Sequence, residues 1–136
     1  METVNILVVD DEPDFKETVV KRLVDRGYEA YGADNGYKCL EFLEQNNIDI
    51  VILDVKMPGM DGLEVLKRIK LKWPLVEVIM LTGHASVESG IQGMELGAFD
   101  YVMKPYKLED LVQKIDHAYE RKKIQQNKIS KARRNT

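Results

Sequence analysis

A chain of 136 residues, 44% hydrophobic and 32% charged, is long enough to bury one core and has the make-up of an ordinary soluble protein. Its apolar runs are far too short for a bilayer, its N-terminus has no charged-then-apolar leader pattern, and its single cysteine, Cys39, excludes an internal disulfide framework. The net charge of −3 is unevenly spread: seven of the 20 basic residues fall in 121–136, where there is no acid, so residues 1–120 carry 13 basic against 23 acidic residues, a net −10. Such a body suits a divalent cation better than a nucleic acid. Direct nucleic-acid binding and membrane association are not expected, and the lone thiol fits a cytoplasmic setting.

Asn5-Ile6-Leu7-Val8-Val9 is a continuous apolar run, as in a strand buried on both faces, and it ends at Asp10-Asp11-Glu12-Pro13. Asp11 or Glu12 ahead of a proline at the first helical position starts a helix. Its apolar positions are Phe15, Val19, Val20, Leu23 and Val24, and Gly27 stops it. Tyr28 to Gly32 marks a short strand. Asn35-Gly36 turns into a second helix, with an expected apolar stripe of Tyr37, Leu40 and Leu43 and an end at Asn46-Asn47; Cys39 is a small side chain on it.

The next run, Ile50-Val51-Ile52-Leu53, is again a fully buried strand, and it stops at Asp54. Pro58-Gly59 and Asp61-Gly62 then force a loop, so an acid stands at the carboxyl end of a central strand, where open α/β sheets keep their ligand sites. Leu63, Leu66 and Ile69 mark a third helix, closed by Trp73-Pro74. Val76 to Leu81 is a strand ending at Thr82-Gly83-His84-Ala85-Ser86. Val87, Ile91 and Met94 suggest the apolar face of a fourth helix, which Gly90 and Gly93 make the least rigid, since each glycine costs about 1 kcal/mol against alanine. Phe99 to Met103 is a fifth strand, followed by Lys104-Pro105. Leu108, Leu111, Val112, Ile115 and Ala118 carry a last helix that runs toward the basic tail. Five strands alternating with five helices imply a parallel sheet covered on both faces. Residues 1–120 form the expected domain, and 121–136 a basic helix extension or linker tail.

Where the first and third strands are neighbours, Asp10, Asp11 and Asp54 converge. Hard oxygen ligands of this kind suit Mg²⁺. One acid of the Asp10-Asp11 pair can cap a helix, but the second has no such task, and crowded carboxylates are costly without a cation. Thr82 alone would be an ordinary helix cap and Lys104 an ordinary loop lysine. Together with the acids they complete a set for phosphoryl transfer: a carboxylate nucleophile at Asp54, a metal, a hydroxyl and a counter-charge.

Four segments carry a resemblance: Leu7 to Pro13, Leu53 to Gly62, Leu81 to Ala85 and Gly97 to Pro105. In these the chain resembles the receiver domain of two-component response regulators over about residues 4–120. The resemblance implies a flavodoxin-like (CheY-like) α/β fold with strand order 2-1-3-4-5. It implies a signalling domain rather than an enzyme, one that assists its own phosphotransfer and slow autodephosphorylation. Asp54 would accept a phosphoryl group from a sensor histidine kinase or a histidine phosphotransfer protein. Asp11, Asp54 and the backbone carbonyl of Lys56 would ligate Mg²⁺, with Asp10 acting through a bound water. Thr82 would hydrogen-bond the phosphoryl group, Lys104 would pair with it, and the Lys104-Pro105 bond would be cis. Tyr101 would turn inward as Thr82 moves, reshaping the surface of helix four, strand five and helix five for a downstream effector domain or protein, or for a homodimer. Lys56 and His84, two residues past Asp54 and Thr82, would flank the pocket mouth and tune hydrolysis; His117 is helix surface.

Two other classes fit less well. A phosphohydrolase of the haloacid-dehalogenase type needs a second aspartate two residues after the nucleophile, where Lys56 stands. A flavodoxin-like cofactor binder needs a small-residue loop after the first strand, and Asp10-Asp11-Glu12 would repel its phosphate.

Overall fold

The computed structural model describes residues 2–83 and 87–134, the side chain of Val87 excepted; His84 therefore lies outside the described residues. The chain alternates β1 (Asn5–Val9), α1 (Pro13–Asp25), β2 (Glu29–Ala33), α2 (Gly36–Gln45), β3 (Ile50–Leu53), α3 (Gly62–Lys72), β4 (Glu77–Thr82), α4 (Val87–Glu95), β5 (Asp100–Met103) and α5 (Leu108–Arg134). All neighbouring strands pair in parallel, in the order β2-β1-β3-β4-β5. This is the flavodoxin-like arrangement expected from the sequence.

The unbroken apolar runs are explained by two cores, one on each face. Leu7, Val9, Val51, Leu53, Val78 and Met80 point toward α2 and α3, while Ile6, Val8, Ile50, Ile52, Ile79 and Leu81 point toward α1 and α5. Each strand supplies both in alternation. Local chemistry starts the helices: Asn35 accepts the Lys38 N–H at 2.9 Å, and Asp61 accepts the Glu64 N–H at 3.0 Å. Glu12 occupies the N-cap of α1 without a side-chain cap, and Pro13 follows it.

Three helix faces differ from the expected ones. On α2 the buried residues are Gly36, Cys39 and Leu43, whereas Tyr37 is 62% exposed. A Cβ on Gly36 would come within 2.5 Å of Val65, so α2 approaches α3 along its glycine side and turns Tyr37 outward. On α1, Val24 lies half exposed at the end of the helix. On α4, Ile91 and Met94 are exposed and Gly93 is buried. The helix rests on its glycines, with Gly90 over the Tyr101 ring and Gly93 over Met80.

The last helix continues without a break to Arg134. Its residues 121–123 are tied to the amino-terminal edge of the sheet. Arg121 forms a forked pair with Glu77, one arm at 2.9 Å, and lies over the Phe99 ring at 4.7 Å. Lys122 pairs with Asp49 and Lys123 with Glu2. Glu77 is 4% exposed, and Lys70 from α3 completes its shell at 3.4 Å.

Candidate functional site

Parallel pairing carries the ends of β1, β3, β4 and β5 to one edge. The backbone ladder extends one residue beyond the strands: the Asp54 N–H donates to Val9 at 3.1 Å and the Lys104 N–H to Thr82 at 2.9 Å. Asp10, Asp54, Thr82 and Lys104 are thereby held on ordered backbone rather than on free loops. The Lys104-Pro105 bond is cis. Behind Asp54, Gly62 brings the start of α3 against the strand end, donating its N–H to the Val55 carbonyl at 2.6 Å. A Cβ there would lie 2.1 Å from the Asp54 carbonyl oxygen, so only glycine permits this approach.

Asp10 and Asp54 are each 2% exposed, and Thr82 is fully buried. Lys104 reaches across with its ammonium 2.8 Å from Asp10, 3.5 Å from Glu12 and 3.6 Å from Asp54. Asp10 uses both oxygens, one toward Lys104 and the other accepting the Glu12 N–H at 2.9 Å. The Oδ1 of Asp54 is buried and has no hydrogen-bond partner among the described residues. Burial pushes the Asp54 carboxyl above the usual carboxylate range, and the Asp10 charge adds to this. The Thr82 hydroxyl, the Lys104 ammonium and the Val55 N–H pull the other way without cancelling it. For Lys104 burial disfavours the charge, but the Asp10 hydrogen bond and the surrounding acids outweigh it and hold the ammonium above its ordinary value.

Oxygens of Asp10, Glu12 and Asp54 lie within 4.8 Å of one another. Three hard oxygen donors, one of them orphaned and buried, fit a divalent cation. Asp11 is exposed and stands outside this trio, as does the exposed side chain of Lys56. Tyr101 is half buried, its ring under α4 at Gly90, with Met80 as its cross-strand partner. Two pocket residues were not singled out from the sequence. Glu12 read as a helix start and Phe15 as one position of the α1 stripe, yet the Lys104 ammonium sits 4.0 Å from the Phe15 ring centroid. The proximity of both to a strand-end acid was the signal available.

A doubly covered 2-1-3-4-5 sheet with buried acids at its carboxyl edge and a lysine reaching across them defines a receiver-type domain. The family model of the response regulator receiver domain matches residues 6–116, and the chain belongs to that family. It is 34% identical over 131 residues to a putative NtrX-like response regulator of Rickettsia bellii, covering 95% of this chain and 27% of that protein. The chain thus spans about a quarter of the length of the curated relatives it matches. Among solved structures it is similar to a response regulator receiver domain protein from Clostridium thermocellum (TM-score 0.84, 39% identity, 89% of this chain and 98% of that one). It is also similar to NtrX from Brucella abortus (TM-score 0.87, 32% identity, 93% of this chain and 29% of that one). Membership makes it a signalling domain of the two-component type. No helix among the described residues is long and apolar enough to cross a membrane.

Proposed function

We propose that Asp54 is the phosphoacceptor of this receiver, taking its phosphoryl group from a phosphohistidine of a sensor kinase or phosphotransfer protein. The observation that carries this reading is the buried Asp54 carboxyl, whose Oδ1 has no hydrogen-bond partner among the described residues, whose Oδ2 lies 3.6 Å from the Lys104 ammonium, and which the Thr82 hydroxyl adjoins. A carboxylate oxygen attacks phosphorus, the N–P bond of the donor breaks with its electrons left on the imidazole, and an acyl phosphate forms. Bound Mg²⁺ would supply positive charge for the phosphoryl oxygens. The residues to hold it are Asp10, Asp11 and Asp54 with the Lys56 carbonyl, and the cluster geometry adds Glu12. Thr82 donates its hydroxyl to one phosphoryl oxygen, and Lys104 exchanges its pairing with Asp10 for another. Water later cleaves the acyl phosphate slowly, with Lys56 and His84, two residues past Asp54 and Thr82 in the sequence, tuning the rate.

Output follows from packing. As Thr82 moves toward the new charge it vacates space beneath α4, and the Tyr101 ring turns further inward to fill it. The surface of α4, β5 and α5 is reshaped for an effector domain or protein, or for a second copy of the chain. Support comes from the half-buried ring lying against Gly90 and from the exposed Ile91, Met94 and Met103 on that face. This is a packing equilibrium biased by a local charge event.

The test is mass spectrometry after incubation with a small acyl-phosphate donor and Mg²⁺. One phosphoryl adduct is expected on the wild type and none on Asp54→Asn; equal labelling of both refutes the assignment.

A further inference from the structure

The Lys104 ammonium has three N–H donors and three acids in reach, and it hydrogen-bonds one of them, Asp10. Three carboxylates stand within 3.6 Å of it, on a four-carbon stem able to swing among them. What distinguishes its position is an uncharged contact, the face of the Phe15 ring, with the ammonium 4.0 Å from the centroid. The lysine side chain is 15% exposed, so the attraction of cation to ring is little diluted by water. Phe15 is itself fixed. It sits on the first turn of α1, and Tyr106, just past the cis bond, meets it edge to face at 5.9 Å and 81°. The Tyr106 hydroxyl is buried and has no hydrogen-bond partner among the described residues, and its ring packs on Phe15.

We infer that Phe15, braced by Tyr106, is a positioning residue that seats the Lys104 ammonium on the pocket wall through its ring face. The ring's attraction is unchanged when the acids are protonated, bound to a cation or esterified. Lys104 therefore stays within reach of the oxygens carried by Asp54 after its Asp10 partner is engaged elsewhere. This inference rests on the phosphoacceptor reading only for its consequence, not for the contact.

The experiment compares wild type, Phe15→Leu and Phe15→Tyr, with thermal melts to establish that each is folded. Proton–carbon NMR of the lysine ε-methylenes reports the contact without any phosphodonor. The Lys104 signal is expected upfield of the other lysines in the wild type, at the ordinary position in Phe15→Leu, and upfield again in Phe15→Tyr. Labelling of Asp54 by a small acyl phosphate with Mg²⁺ is expected to be about fivefold slower in Phe15→Leu, the loss of part of one desolvated cation–ring contact, and restored in Phe15→Tyr. An ordinary Lys104 signal in the wild type overturns the seat. A shifted signal with equal labelling rates overturns its role in positioning. If the wild type takes no label, the phosphoacceptor reading fails, while the NMR comparison still decides the contact.

Discussion

Asp10 and Asp54 are equally buried, yet of the two it is Asp54 that has an oxygen with no partner among the described residues. On the proposed function, that open oxygen is the one that would attack phosphorus. It also has a stability consequence with a definite sign. Because the folded-state pKa of Asp54 is raised, the folded protein keeps a proton that the unfolded chain has lost as pH rises above the ordinary 3.8. Stability therefore falls as pH climbs through the window between that value and the raised one, and stays lowered above it. Asp54→Asn has no such loss. It is expected to be more stable than wild type at about pH 7, with the advantage vanishing near pH 3, in urea titrations at the two pH values. Lys104→Ala should act in the opposite direction. Leaving Asp10 and Asp54 buried without their cation is expected to cost about 2–4 kcal/mol at neutral pH, with part recovered when Mg²⁺ is added to the denaturation series. Asp54, Thr82 and Lys104 were legible in the sequence because each is a polar residue closing an apolar run. Glu12 and Phe15 were not, because which side of a first helical turn overlooks the pocket depends on how α1 leaves β1, and periodicity does not encode that angle.

Among the elements, the faces of three helices, α1, α2 and α4, departed from expectation while the strands did not. A strand buried on both faces needs no choice of side, so β1, β3 and β4 followed directly from their apolar runs. A helix must choose, and α2 and α4 chose their glycines. Small residues let a helix approach its neighbour closely, which a reading by hydrophobicity treats as blank positions. Gly62 is the strictest case, since its missing side chain is what lets α3 begin directly beside Asp54. Gly62→Ala is expected to lower stability by about 2–3 kcal/mol in urea unfolding, as overpacking does. It should also slow Asp54 labelling, because the new methyl group displaces the carbonyl that carries the acceptor.

Across the whole molecule, the basic tail is divided in two by its contacts. Arg121, Lys122 and Lys123 pair with acids on the body, while residues 124–134 of the same helix are exposed. Removing residues 124–136 is expected to leave the melting temperature unchanged. Ending the chain at residue 120 strands Glu77 without its guanidinium and is expected to cost about 2–3 kcal/mol, with Lys70 limiting the damage. The unequal response of the two truncations is the measurement. Composition exposed the acidic body and basic tail, but not that the division of labour falls after residue 123.

Asp49 and Glu77 sit where β3 and β4 begin, and Asp54 and Thr82 where they finish. These two central ribbons are thus clamped at one extremity and carry the proposed phosphoacceptor site at the other, about 16 Å away over five residue steps. A blade held at its handle can swing at the tip but cannot slide. If phosphorylation acts as proposed, motion begun at the tip would leave sideways, through the helix resting on glycine, while the ladder between the two ends keeps its register.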